Sequence, residues 1–153
     1  MSSSIVTNKT KIVSQPIVTS HITSNHEEFS KIHHNEVNIS IWERKLSNAL
    51  QNAAAEILNN NPDFKLTIVP RVDEIRDILV DELGSGKNSL NLINDISKLA
   101  TMFCDLFKID RAWIRLDSID TPMCPRFHAD KVKCRLVTTY VGPATEWLPH
   151  HQV

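Results

Sequence analysis

Residues 88–117 read NSLNLINDISKLATMFCDLFKIDRAWIRLD, and the hydrophobic period changes once within them. Leu92, Ile96, Leu99, Ala100, Phe103, Leu106 and Phe107 recur at helical intervals, the stripe of an amphipathic helix opening near Asn88 or Ser89. From Arg111 the interval falls to two. Ala112, Ile114 and Leu116 alternate with Trp113, Arg115 and Asp117, as in a half-buried strand. Cys104 lies beside the helical face and reads as a small buried hydrophobe rather than a reactive thiol.

Upstream, a second helix is expected from about Val72 to Leu83, with Ile75, Ile78, Leu79 and Leu83 as its stripe and Gly84 as its stop. Gly84-Ser85-Gly86-Lys87 contains part of a phosphate-loop motif. The full motif needs glycine where Asp81 stands and a strand where this helix stands, so a helix-to-helix turn explains the glycines. Phe64 to Val69 alternates apolar and polar positions and predicts a short strand before Pro70. Ser40-x-x-Glu43 has the form of a capping box. It predicts a helix from Ser40 to Asn59, with Trp42, Leu46, Ala49, Leu50, Ala53, Ile57 and Leu58 on one face.

Residues 1–38 are rich in Ser, Thr, Asn and His without a sustained period, and are expected to form a mostly disordered polar tail laying at most a strand or two on the domain. Residues 39–153 then make one α+β domain. His21, His26, His33 and His34 lie in the tail, where solvated side chains are the plain reading and a metal grip by His33-His34 the sharper one.

Downstream, Pro122 and Pro125 bracket a turn, and Cys134 to Val141 predicts a β-branched strand closed by Gly142-Pro143. Thr145 to Leu148 predicts the start of another. Helices followed by strands suggest a helical layer packed on an antiparallel sheet.

Composition narrows the function classes. A net charge of −1 without a Lys/Arg cluster gives nucleic acid no electrostatic support. No apolar run reaches the roughly 20 residues that span a bilayer. The first residues lack the charged start and apolar stretch of a secretory signal, and they lack the arginines and apolar face of an organelle transit peptide. Three cysteines without framework spacing point away from a disulfide scaffold and toward a reducing, cytoplasmic setting.

The chemistry concentrates in Cys124-Pro125-Arg126-Phe127-His128-Ala129-Asp130, followed by Cys134 and Arg135. On extended backbone, side chains two apart share a side, roughly 6–7 Å apart at the backbone. The imidazole of His128 and the carboxylate of Asp130 can then lean onto one divalent ion, Fe(II), Mn(II) or Zn(II), as two thirds of a two-His-one-carboxylate triad. A plain His–Asp pair at a strand end is the competing reading. A closed zinc site of Cys124, His128 and Cys134, with Asp130, is another, although its spacing is unlike common zinc knuckles. Nucleophilic catalysis by either cysteine lacks an identifiable base. Arg126 and Arg135 suit bidentate carboxylate binding, or structural pairing with Glu146 or Asp130. Tyr140 and Trp147 read as core aromatics or pocket lining, and Thr138 and Thr139 as strand formers.

The run Cys124-Pro125-Arg126-Phe127-His128-x-Asp130, with Arg135-Leu136-x-x-Thr139-Tyr140-x-Gly142-Pro143-x-Thr145-Glu146-Trp147-Leu148, resembles the signature block of a bacterial family termed domain of unknown function 1826. Ile41-Trp42-x-Arg44 and Arg115-Leu116 fit the same layout, so the resemblance covers about residues 35–149. Members are similar to Fe(II)/2-oxoglutarate-dependent oxygenases in one respect: an H-x-D element is followed by a second His in a His-Arg-Ser-type segment. The resemblance therefore implies a cupin-like (double-stranded β-helix) sheet, an Fe(II) ion on His128 and Asp130, and a 2-oxoglutarate carboxylate near Arg126 or Arg135. A small-molecule substrate would complete the reaction. The rival implication is a non-catalytic metal-binding or interaction module in zinc homeostasis, because some members are associated with CobW-like metal GTPases. This chain ends at Val153, before the place of the second His in that pattern. The sheet is thus expected to be incomplete at its C-terminus, or completed by a partner, with His150 or His151 as the substitute third ligand.

Overall fold

The computed structural model describes residues 18–121, 126–128 and 131–152. Its architecture is α+β. The expected long helix forms as α3, Lys87–Phe107, and Leu92, Ile93, Ile96, Leu99 and Cys104 are buried on it. Lys108 ends it in the left-handed region at φ 54°, donating its N–H back to the Cys104 and Asp105 carbonyls.

Two shorter helices lie against α3. The helix α1 runs Asn48–Asn60, contacts α3, and buries Leu50, Ala53 and Ala54. The helix α2 runs Ile75–Leu83, and its C-cap Gly84 takes the positive φ that an L side chain resists. Ile75, Leu79, Ile93 and Cys104 are the largest fully buried side chains. Each aliphatic one contributes about 1.5–3 kcal/mol relative to exposure. The glycines of 84–87 thus link α2 to α3, as a helix-to-helix turn requires.

One sheet pairs two antiparallel strands, here β3 and β4. The strand β3, Lys65–Ile68, meets β4, Ile114–Asp117, in the register Lys65↔Asp117, Leu66↔Leu116, Thr67↔Arg115 and Ile68↔Ile114. Leu66, Ile68, Ile114 and Leu116 face the helical core, while Val69 and Trp113 stay exposed. A second sheet pairs β1, Thr19–Thr23, in parallel with β2, Val37–Trp42, through a connection that includes a 310 helix, His26–His33. Part of the polar segment before residue 39 is therefore laid on the domain.

Two expectations need correction. The first helix does not begin at Ser40. Val37-Asn38-Ile39-Ser40-Ile41-Trp42 is β2, and the cap is Ser47, whose Oγ accepts the Leu50 N–H at 3.3 Å. The strand wins because β1 supplies a ladder partner that a local reading of Ser40 and Glu43 does not contain. Cys134–Val141 enters no ladder among the described residues, and Thr145–Leu148 forms no strand. A short 310 turn, His150–Gln152, follows. Among the described residues the sheets have two strands each and no barrel closes.

Candidate functional site

The C-terminal block holds the residues that the sequence nominates. Arg126 and His128 are exposed. His128 Nδ1 lies 3.0 Å from the Arg126 carbonyl oxygen. A carbonyl only accepts, so Nδ1 is the donor in this contact. Cys134 is half-buried, and burial pushes its thiol above the ordinary range. Arg135 is exposed. Cys124 and Asp130 lie outside the described residues, and among those described no three His, Cys, Asp or Glu side chains converge as a metal cluster.

The N-terminal histidines are engaged separately. His33 Nε2 donates to the Leu106 carbonyl at 3.0 Å while its ring meets Phe107, and His34 faces Glu36 at 3.6 Å. His21 contacts Glu28 at 2.9 Å, and His26 packs on Trp42 with ring centroids 5.2 Å apart. The adjacent pair at 33–34 is thus directed to different partners.

The densest polar arrangement ties this block to the body. Arg44, just after β2, grips Asp95 of α3 in a fork, Nη1 to Oδ1 at 2.7 Å and Nη2 to Oδ2 at 2.9 Å. Nη2 also donates to Thr138 Oγ1 at 3.1 Å, and the Tyr140 hydroxyl donates to Asp95 Oδ2 at 2.8 Å. The guanidinium stands 5.2 Å from the Trp42 ring centroid and 5.9 Å from that of Tyr140. These cation–π contacts suit a planar, delocalised charge. The Asp95 hydrogen bond raises the Arg44 pKa despite partial burial. Burial first, and the Asp95 acceptor second, push the Tyr140 phenol far above its ordinary range.

Thr138 is therefore a hydrogen-bonding residue rather than only a strand former, and Tyr140 packs on the core as expected of a core aromatic. Asp95 was not evident as a site residue. Its signal is positional: counted from Leu92 it takes the i+3 place of an i, i+3, i+4, i+7 pattern completed by Ile96 and Leu99, so a charge occupies an apolar slot. Beside Asp95 a groove of about 290 Å3 is lined by Ser47, Leu50, Asn91, Asn94 and Lys98.

The family model for proteins of unknown function, DUF1826, matches residues 23–153, from the end of β1 to the last residue. The chain belongs to this family. The match takes in Arg44, Asp95, Thr138 and Tyr140 together with the His128 block, so in this DUF1826 protein the polar cluster and the nominated residues fall in one family region. No curated protein and no solved structure matches the chain.

Proposed function

We propose that this DUF1826 protein is a divalent-metal-binding protein of the Fe(II)/2-oxoglutarate oxygenase-like class, with His128 and Asp130 as its first two ligands. The observation that supports the reading is the contact of the His128 ring with the Arg126 carbonyl. Metal-ligating histidines typically donate one ring N–H to a carbonyl or carboxylate and ligate through the other nitrogen. Here Nδ1–H meets the Arg126 carbonyl at 3.0 Å, and in this proposal Nε2 would be the ligating nitrogen. A bound ion would supply Lewis acidity and oxygen activation. This chain's part would be to hold it and, through Arg126 or Arg135, to orient a cosubstrate carboxylate.

A cupin-like sheet belongs to the same proposal. Cys134, Leu136 and Thr138 are half-buried while Arg135 and Val137 are exposed, the alternation of a strand awaiting a ladder.

Metal analysis after loading the full chain with Fe(II), Mn(II) or Zn(II) tests the reading. Stoichiometric metal is expected in wild type and in Cys134→Ser, with loss in His128→Ala and Asp130→Asn. The Fe(II) form is expected to convert 2-oxoglutarate to succinate. Zinc retention that depends on Cys134, without turnover, would favour a zinc-supply module acting with a CobW-like GTPase. Retention unchanged in His128→Ala would sink both readings.

A further inference from the structure

The β3–β4 ladder gathers cations that are scattered along the chain. Val72 N–H bonds the Asp110 carbonyl and Ser118 N–H the Phe64 carbonyl, so the even-numbered pairs carry the ladder bonds. Their side chains Leu66, Ile68, Ile114 and Leu116 turn to the core. The odd-numbered pairs turn the other way. In order they are Lys65↔Asp117, Thr67↔Arg115, then Val69 beside Trp113, and Arg71↔Arg111.

Two features of this outer face work against stability. Arg71 and Arg111 stand directly opposite in a pair without ladder bonds, where side chains come closest and like charges repel. Trp113 is 71% exposed, with Val69 at 57% beside it. The carboxylates here go to other cations: Asp73 and Asp110 hold Arg71 at 3.3 and 3.5 Å, and Asp117 holds Arg115 at 2.6 Å. Arg111 donates instead to the neutral Val69 carbonyl at 3.3 Å, which draws its guanidinium to the row of Trp113. Departures of this kind from what folding favours are expected at functional sites.

We infer that this face binds single-stranded nucleic acid, with a base stacked on Trp113 and phosphates on Arg111 and Lys65. The inference is independent of the metal reading. An indole offers a flat surface to any base, and a guanidinium takes a phosphate in a fork. Arg111, Trp113 and Arg115 follow one another on one line at intervals of roughly 6–7 Å, cation, ring, cation. An acidic peptide fits less well, because its carboxylates engage the arginines and leave the indole no ring to stack on. Two phosphate contacts make the binding weak and give log affinity a slope of about −1.4 against log salt.

Fluorescence anisotropy of a dye-labelled oligo(dT) titrated with the full chain tests this. The variants are Trp113→Ala, Trp113→Tyr, Arg111→Gln and, as a cation on α3, Lys98→Gln. Melting curves establish that each is folded. Trp113→Ala is expected to lose about fivefold or more in affinity, and Trp113→Tyr to recover most of it. Arg111→Gln should reduce the salt slope to about −0.7. Lys98→Gln should match wild type, and polyglutamate should displace the oligonucleotide poorly.

No binding at roughly 100 μM protein in low salt overturns the proposal. So does wild-type affinity in a folded Trp113→Ala. Ready displacement by polyglutamate, with Trp113→Ala binding as wild type does, assigns the face to an acidic protein partner and overturns it as well. Should Trp113→Ala fail to fold, Arg111→Gln decides, and an unchanged salt slope there overturns the proposal.

Discussion

Arg44 and Asp95 stand 51 positions apart and meet fork to fork, at 2.7 and 2.9 Å. The guanidinium leaves the end of β2 and the carboxylate leaves the middle of α3, so the pair joins the parallel ribbon to the helical layer. Thr138 and Tyr140 join the same centre from the C-terminal block. Three separate stretches of chain depend on one carboxylate.

Removal of that carboxylate should be costly although the pair itself adds little. Asp95→Ala leaves a part-buried guanidinium without its acceptor and a part-buried phenol without its own. A loss of about 2–3 kcal/mol is expected in urea denaturation. A change under about 0.5 kcal/mol, the scale of ordinary surface substitutions, would show that the cluster is solvated.

The two serines before α1 should behave oppositely. Ser47→Ala removes the hydroxyl that caps Leu50 N–H and should cost about 1 kcal/mol. Ser40 Oγ is buried without a hydrogen-bond partner in β2, so Ser40→Ala should be neutral or stabilising. Thermal melts that reverse this order would return the helix start to Ser40.

Tyr140 should make stability fall at high pH. Its phenol is held above the ordinary value of 10.0 in the folded state, so between the unfolded and folded values the folded chain binds the extra proton. Stability from this group is complete below the unfolded value and is lost as pH rises past it, at about 1.4 kcal/mol per pH unit. Tyr140 is the only tyrosine, so phenolate absorbance in the folded protein reports it directly. A Tyr140→Phe variant should lack this part of the alkaline decline. Phenolate appearing near the ordinary value in folded protein would contradict the buried hydrogen bond.

Lys108 should be improvable. It holds φ 54° at the end of α3, where a Cβ is unfavourable. Lys108→Gly is expected to raise stability by up to about 1 kcal/mol in urea denaturation, provided the side chain contributes nothing else. A loss of stability would mean that it does.

Much of the helical layer is legible along the chain because its cause is local. Leu92 to Phe107 and Ile75 to Leu83 announce their faces by spacing alone, and Gly84 announces the break between them. The change of interval at Arg111 and the alternation through Leu116 likewise predict β4. The segment from Val37 to Trp42 is ambiguous along the chain for the opposite reason. Its β-branched residues and its Ser40-x-x-Glu43 pattern support two structures, and only pairing with Thr19–Thr23 decides between them. The C-terminal block shows the same limit, since Cys134 to Val141 has strand composition but no ladder among the described residues.

The chain by itself determined which residues seek burial and which stretches turn helical, because periodicity and capping act within a few positions. It also marked His128 and its neighbours as the chemically dense segment. Only the tertiary structure decided that β2 is a strand, that Ser47 is the cap, and that Asp95 is the shared partner of Arg44 and Tyr140. A ladder or an ion pair between distant positions carries no local period. Its free energy exists only once the two stretches have been brought together.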